Sequence, residues 1–337
     1  MDPLDPWTPG PWTLDTMGTM DAVDPLATAR FEAGRDRLAA LAYRLLGSAA
    51  DAEDAVQDAF LRWQAADRRL IEAPEAWLTK VVTHLCLDRL RSARARHERA
   101  AGAWLPEPLL QGDPMLGPAD TAEQRESVSL AVLILLERLS PVERAAFVLR
   151  EAFAYRHAEI AALLGITESA SQQHVHRARR RVAAARRGGE ADPAAARRIV
   201  AEFLAAAASG RTERLVALLT DDATALSDGA GLARSLLRYE SSARVAALVR
   251  AGFKPTAAKR RFLGGDPAFH FALLNGSPGA LAVLGDRVVG AVAFEIDLGI
   301  EGGRIAAVQG FAAPARLGRL TAAWRRQGPS APALAHW

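Results

Sequence analysis

Residues 156–181 read RHAEIAALLGITESASQQHVHRARRR, and the order of small, apolar and basic residues in them decides the fold of the helical half. Residues 157–164 have the make-up of a short helix, and Gly165 supplies a turn. Thr167 can cap a second helix whose inward positions are Ser171, Val175, Ala178 and Val182. A small residue at Ala161, a glycine at the turn and this apolar spacing let two helices cross closely, as in a helix-turn-helix. The outward residues of the second helix are Gln172, Gln173, His174, His176 and Arg177, all able to meet base edges or phosphates. Arg179, Arg180, Arg181, Arg186 and Arg187 add charge suited to a phosphate backbone. The bland reading, a solvated basic helix with no ligand, does not account for the turn spacing. His174 and His176 have no third ligand at metal spacing, so no metal site is expected there.

Composition bounds the rest. The chain has 337 residues with a net charge of +3, enough for two or three domains. Half its residues are hydrophobic and 24% are charged, which excludes wholesale disorder. A single cysteine, Cys86, excludes a disulfide framework and suits a reducing cytoplasm. No apolar run is long enough to span a membrane, and the N-terminus lacks the basic and apolar regions of a secretory signal. The charge is −2 over residues 1–189 and +5 over 190–337. Within the first part, arginines gather at 89–99 and 177–187, whereas acids gather at Asp51, Glu53, Asp54 and Asp58. One acidic face and two basic ones fit specific partners better than a general polyanion binder.

Six segments are expected. Residues 1–25 are rich in Pro, Asp and Thr and read as a disordered tail. Residues 26–97 form a helical unit, 98–122 a proline-rich linker, and 123–188 a second helical unit with helices at 123–139, 141–153, 157–164 and 168–186. An α+β domain spans 190–320 and a tail 321–337. In the α+β domain, helices are expected at 193–208, 211–219 and 238–251, with an irregular stretch over 221–231. Strands follow at 268–274, 280–284, 288–297 and 304–311, divided by glycine turns such as Asn275-Gly276. Helices followed by hairpins predict a curled antiparallel sheet. Trp63 and Trp77 fall on apolar stripes and read as core anchors, and Cys86 as a buried small residue.

The segment DAEDAVQDAFLRW (51–63) puts Asp51, Asp54 and Asp58 on one helical stripe, and EAWLTKVVTHLCLDRLR (75–91) follows it. Together with 156–181 these segments resemble regions 2 and 4 of an extracytoplasmic-function (group 4) sigma factor of the sigma-70 class, with region 3 replaced by the linker. The resemblance implies a subunit that directs RNA polymerase to promoters. The acidic helix would dock core polymerase through Asp51, Glu53, Asp54, Gln57, Asp58 and Phe60. Lys80, Thr83, His84, Asp88, Arg89, Arg91 and Arg94 would hold the melted −10 strand. Gln172, Gln173, His174, His176, Arg177, Arg179 and Arg180 would meet the −35 duplex.

The linker motif WLPEP (Trp104, Leu105, Pro106, Glu107, Pro108) and the helix-then-hairpin domain resemble the subgroup with a fused SnoaL-like (nuclear-transport-factor-2-like) domain. The implied fold is multidomain, two all-α sigma regions followed by an α+β SnoaL-like cone with a curved antiparallel sheet. In that subgroup the linker and two C-terminal motifs regulate activity in cis. Their counterparts are the loop 228–232, with Asp228, Gly229 and Gly231, and the segment 313–317, with Pro314, Arg316 and Leu317. SnoaL-like folds also include enzymes. Asp222, Asp228, His270, Glu295 and Asp297 are the available acid/base groups, but they make no complete catalytic set, and no cofactor is implied. Two other readings stay open: an enzyme with a DNA-binding helical module, and a one-component DNA-binding regulator. An unidentified small-molecule ligand for the C-terminal domain is compatible with any of the three.

Overall fold

The structure is a computed structural model that describes residues 24–97, 105–117, 124, 127–183, 192–231, 236–300, 302–329 and 331–337. The tail expected over 1–25 lies almost wholly outside them. Asp24 opens the first helix, α1 (Pro25–Leu46), by accepting the Leu26 and Ala27 amides, and Gly47 ends it in the left-handed conformation. Ser48 caps α2 (Ala49–Ala65), which turns Ala52, Ala55, Val56, Ala59 and Trp63 inward. The alanines let α2 lie close against α1. Trp63 is buried, donates to the Ala27 carbonyl at 2.9 Å and packs on Trp77 at 5.8 Å, so both tryptophans anchor the core as expected. The third helix, α3 (Pro74–His97), closes the first unit.

The second unit holds α4 (Leu130–Leu136), α5 (Pro141–Glu151), α6 (His157–Leu164) and α7 (Glu168–Ala183). Helix α4 is shorter than the expected 123–139, because Ser129 starts it by capping Val132 and the residues before it form a turn. Ser140 and Glu143 make a reciprocal cap for α5. Gly165 turns α6 into α7, and Ser171, Val175, Ala178 and Val182 are buried as their spacing predicts. The two units share one apolar core, in which Trp63, Val81 and Cys86 belong to the same cluster as Leu133, Phe147 and Val175.

The C-terminal domain contains α8 (Pro193–Ser209), α9 (Thr212–Leu218), β1 (Leu219–Ser227), β2 (Leu237–Glu240), α10 (Ser242–Phe253), α11 (Ala257–Leu263), β3 (Ala268–Leu274), β4 (Ser277–Leu284), β5 (Arg287–Asp297), β6 (Arg304–Phe311), α12 (Pro314–Gln327) and β7 (Ala335–His336). The sheet order is β2-β1-β6-β5-β4-β3-β7. It is mixed rather than wholly antiparallel, because β1 runs parallel to β6. The expected irregular stretch over 221–231 is mostly β1, whose register shift between Leu219 and Thr224 spoils the alternation that would mark a strand. The expected tail over 321–337 is mostly α12 followed by β7.

One face of the sheet packs on α8, α9 and α10, with Phe203 against Phe294 at 4.7 Å. The other packs on α12 and on the linker through Leu105, Leu110, Leu317, Leu320 and Trp324. The prolines do keep the linker from forming a long helix, yet it is not a loose connection. Leu105, Leu109 and Met115 are fully buried, and Leu110 forms a bridge with Leu274. Gly117 has φ +67°, and an added Cβ there would lie 2.8 Å from the Ala40 Cβ, so only glycine lets the linker lie this close to α1.

Candidate functional site

The acidic stripe on α2 is asymmetrically occupied. Asp51, Asp54 and Gln57 are exposed, Asp58 and Glu53 half-buried, and Phe60 packs its ring 4.9 Å from Phe31. Arg89 reaches across from α3, donating to the Asp51 carbonyl at 3.0 Å and pairing with Asp58 at 2.7 Å. Arg89 is therefore a strut between α2 and α3 rather than a cation free for a melted strand. On the other edge, Glu53 pairs with Arg35 at 3.3 Å and with Arg319 of α12 at 3.2 Å.

The α3 residues expected at a melted strand divide in two. Lys80 is half-buried, and Asp88 and Arg91 are exposed and paired to each other at 3.2 Å. Thr83 is instead fully buried, its hydroxyl donating to the Thr79 carbonyl, so its side chain faces the core. His84 holds the Leu163 carbonyl through Nε2 at 2.8 Å, which places it against α6. The Arg94 side chain lies outside the described residues. Cys86 is buried, and burial pushes its thiol up to about 12, which keeps it a thiol.

On α7, Gln172, Gln173, His176 and Arg180 are exposed. Arg177 and Arg181 both bond Glu143, at 3.0 and 3.2 Å, and Arg179 bonds Glu151 at 2.8 Å. Burial alone would raise the Glu143 carboxyl, but the Ser140 amide and hydroxyl and the two guanidinium groups outweigh it and hold it below its ordinary range. Arg177 also meets His174 Nδ1 at 2.8 Å; partial burial, then that guanidinium, keeps the imidazole pKa below its ordinary value. The helix thus presents neutral hydrogen-bonding groups beside arginines fixed from behind. Alanine at Gln172 or Gln173 is expected to cost about 1–3 kcal/mol of discrimination at one base pair. Arg180→Ala should weaken all duplexes alike and flatten the salt dependence, readable by fluorescence anisotropy.

The two helical units touch at a seam. Arg37 donates to the Tyr155 hydroxyl at 3.2 Å and sits 5.5 Å from the Phe153 and Tyr155 rings, while Tyr155 donates to Thr79 at 3.3 Å. A cleft at the seam is lined by Arg37, Glu75, Phe153, Tyr155 and Glu159. Buried Arg44 ties α1 to Ser127 at 3.1 Å and to the Leu116 carbonyl at 2.6 Å, and burial lowers its pKa to about 10.

The linker and C-terminal domain fasten this seam. The Glu107 carboxylate accepts the Ala49 amide at 2.8 Å and so caps α2, while the Tyr43 hydroxyl donates to the Glu107 carbonyl at 2.7 Å. At the β3–β4 turn, Asn275 (φ 52°) donates to the Tyr43 hydroxyl at 2.8 Å and the Val128 carbonyl at 2.9 Å, and its side-chain oxygen accepts the Leu109 amide at 2.8 Å. One side chain thus joins both helical units, the linker and the sheet. Arg316 donates to the Leu105 carbonyl, and Arg319 clasps Asp113 at 2.7 and 2.8 Å as well as Glu53. Leu317 packs with Leu105, and Pro314 opens α12. Pro106 and Pro108 are buried; Trp104 and Leu232 lie outside the described residues.

The two C-terminal motifs meet each other. Asp228 is buried, and its carboxylate accepts the amides of Ala230, Ala312 and Ala313 at 2.9–3.1 Å. Gly229 donates to Ser227, and Gly231 faces Ala313 where an added Cβ would stand 3.5 Å from the alanine methyl. Asp228 is therefore an internal cap for the approach to α12 rather than a free acid or base. Glu295 accepts from Gln309 at 2.8 Å, Asp297 from the Gly299 amide and Asp222 from Thr220. His270 lies 4.9 Å from Trp324, on the α12 face, and partial burial depresses its pKa. Sequence reading missed Tyr43, Asp113, Asn275 and Arg319. The sole signal for any of them was the Asn-Gly turn.

Burial raises the Glu107 carboxyl above its ordinary value. A raised acid favours the folded state most below its unfolded pKa of about 4.3 and loses that contribution as pH rises through the folded value. Glu107→Gln keeps an oxygen for the Ala49 amide without burying a charge. Its melting temperature is expected to match or exceed that of the parent at pH 8, whereas Glu107→Ala should lose about 1 kcal/mol of capping. Thermal unfolding at pH 5 and 8 checks both.

Comparison with known proteins agrees with this arrangement. Residues 31–96 match Sigma-70 region 2, and residues 129–182 match Sigma-70, region 4. The chain is 40% identical over 214 residues to the ECF RNA polymerase sigma factor SigJ of Mycobacterium tuberculosis, covering 63% of this chain and 68% of that protein. It is 35% identical over 205 residues to the probable ECF RNA polymerase sigma factor SigI of the same species, covering 59% and 69%. The crystal structure of Mycobacterium tuberculosis SigJ superposes with a TM-score of 0.62 at 35% identity, over 86% of this chain and 97% of that one. A helical pair of sigma regions followed by a sheet domain defines a sigma-70-type subunit with a fused SnoaL-like domain. The chain belongs to the extracytoplasmic-function RNA polymerase sigma factor family. Sigma factors of this class are transcription factors that bind core RNA polymerase and promoter DNA. Among the described residues no helix is long and apolar enough to cross a membrane.

Proposed function

We propose that this sigma factor is held in a closed, weakly DNA-binding arrangement by its own linker and C-terminal domain, and that polymerase and promoter binding open it. The observation that carries the reading is Arg319. It clasps Asp113 of the linker and Glu53 of the acidic helix at once, so the C-terminal domain occupies one edge of the surface proposed to dock polymerase. His84 is covered by α6 in the same arrangement. Docking draws on Asp51, Asp54, Gln57 and Asp58, and Glu53 joins them when Arg319 withdraws. In the open form Lys80, His84, Asp88, Arg91 and Arg94 face the melted −10 strand, while Thr83 and Arg89 hold the helix that carries them. Gln172, Gln173, His174 and His176 read the −35 duplex, and Arg177, Arg179 and Arg180 position it.

The C-terminal domain acts by holding and releasing rather than by chemistry, since Asp228 is spent on backbone amides and Glu295 on Gln309. The test is in vitro transcription with core polymerase, comparing the full chain with Arg319→Ala. The variant should initiate more at limiting polymerase and equally at saturation, because only the closed competitor is weakened. Equal initiation at both polymerase levels would remove Arg319 from the regulatory contact.

A further inference from the structure

We propose that the α10–α11 edge of the C-terminal domain is a second nucleic-acid contact, which takes the phosphate backbone of the duplex flanking the site read by α7. Residues 241–264 contain six Lys or Arg and no Asp or Glu. Helix α11 buries none of its seven residues, and the Phe262 ring is 59% exposed at its end. A helix that gives nothing to the core and shows an aromatic ring to solvent lacks the usual reason to be kept in place.

What holds α11 is polar rather than apolar: Arg287 of β5 donates to its Leu263 carbonyl at 2.8 Å, Lys259 lies 5.8 Å from the Trp337 ring, and the other contacts are local. Thr256 caps it by accepting the Lys259 amide at 3.2 Å, and Gly264 ends it in the left-handed conformation. The Lys259 ammonium donates to the Ala251, Gly252 and Lys254 carbonyls, closing the C-terminal end of α10. Lys259 is thus a structural cation, and Arg260 is paired with Asp266 at 2.6 Å. Arg250, Lys254 and Arg261 are exposed, and among the described residues their side chains have no acidic partner. Three cations without an acidic partner among the described residues, on a segment that also exposes an aromatic ring, suit a polyphosphate chain, where each ion pair releases a counterion and the ring can pack on a sugar or base edge.

The tether identifies which polyanion is at hand. Helix α7 ends at Ala183, and Asp192 caps α8 nine residues later. Nine peptide steps span at most about 30 Å. When α7 lies in a major groove, the start of this domain at Asp192 is therefore held within about one helical turn of DNA from the end of that helix, which keeps the domain beside the duplex at an effective concentration on the order of millimolar. That step rests on the reading of α7 as the duplex-binding helix.

The test uses the full chain and a fluorescein-labelled 30-base-pair duplex of mixed sequence, by anisotropy between 50 and 200 mM NaCl. The triple variant Arg250→Glu/Lys254→Glu/Arg261→Glu is expected to bind at least tenfold more weakly. Its plot of log affinity against log salt should be shallower by about 2–3, since each lost phosphate contact removes about 0.9. The neutral triple Arg250→Gln/Lys254→Gln/Arg261→Gln should flatten the slope in the same way, and Phe262→Ala should weaken binding severalfold with no change of slope. Arg180→Ala is run beside them: if it alone has no effect, the reading of α7 fails while the patch is still judged by its own variants. Unchanged affinity and slope in both triples, with melting temperatures like the parent's, would overturn the proposal. So would intact DNA binding with loss of core polymerase capture, which assigns the patch to an acidic protein surface.

Discussion

Reversing Asp54 and Asp58 together to lysine is expected to abolish capture of core polymerase while leaving the helical content intact. This is the largest effect expected. The stripe is a set of carboxylates on one face of α2, with Asp54 67% exposed and Asp58 about half so. Removing a close charge pair at an interface costs about 2–5 kcal/mol, and reversal adds repulsion, so two sites together amount to more than a 100-fold loss. Because Asp58 also pairs with Arg89, Asp54→Lys alone is the companion variant; its nearest cation stands 3.9 Å away, so the fold barely depends on it. It should lose at least tenfold in affinity with an unchanged melting temperature. Normal capture by the double variant would remove the acidic stripe from the docking surface.

The second large effect is at Asn275. Asn275→Gly keeps the turn, because glycine adopts φ 52° without strain, and removes the side chain that satisfies Tyr43, Val128 and Leu109. Tyr43 keeps its bond to the Glu107 carbonyl, but the Val128 carbonyl and the Leu109 amide lose this partner; at about 1–3 kcal/mol each, the closed arrangement should lose about 2–6 kcal/mol. The expected outcome is faster proteolysis within the linker at 105–117 and higher initiation at limiting polymerase. Unchanged linker protection would mean that Asn275 fills space without fastening anything. Asn275→Asp separates the two, since a carboxylate keeps the bond from the Leu109 amide but cannot donate to Tyr43 or Val128.

How much of this was legible in the sequence depended on whether the information was local. Ser171, Val175, Ala178 and Val182 were placed inward by spacing alone, and they are buried. The limits of β3 and β6 followed from apolar runs between glycine turns, and both match the structure. Strand β1 was missed because Asp221 and Asp222 resemble a turn and a register shift breaks its period. Helix α12 was legible but overlooked: Leu317, Leu320 and Trp324 recur at helical spacing behind Pro314, and all three are buried. Asn275 could be read as a turn residue and nothing more, since Tyr43, Leu109 and Val128 are distant in sequence and only the fold gathers them. The burial of Thr83 and the pairing of Arg89 with α2 were illegible for the same reason. A motif gives the helix, but which of its polar side chains face the core or a neighbouring acid is set by the helices packed around it.

On the proposed mechanism, linker and C-terminal domain together hold regions 2 and 4 closed. The most direct measurement is the distance distribution between labels at Glu72, before α3, and Gln173 on α7, taken with and without core polymerase. Both positions are exposed and outside the contacts that fasten the seam. The free chain should give one short, narrow distribution, core polymerase should shift it to a longer one, and Asn275→Gly should populate the longer distances without polymerase. A distribution identical in the free chain, the variant and the polymerase complex would mean that the linker and C-terminal domain do not hold the two regions closed.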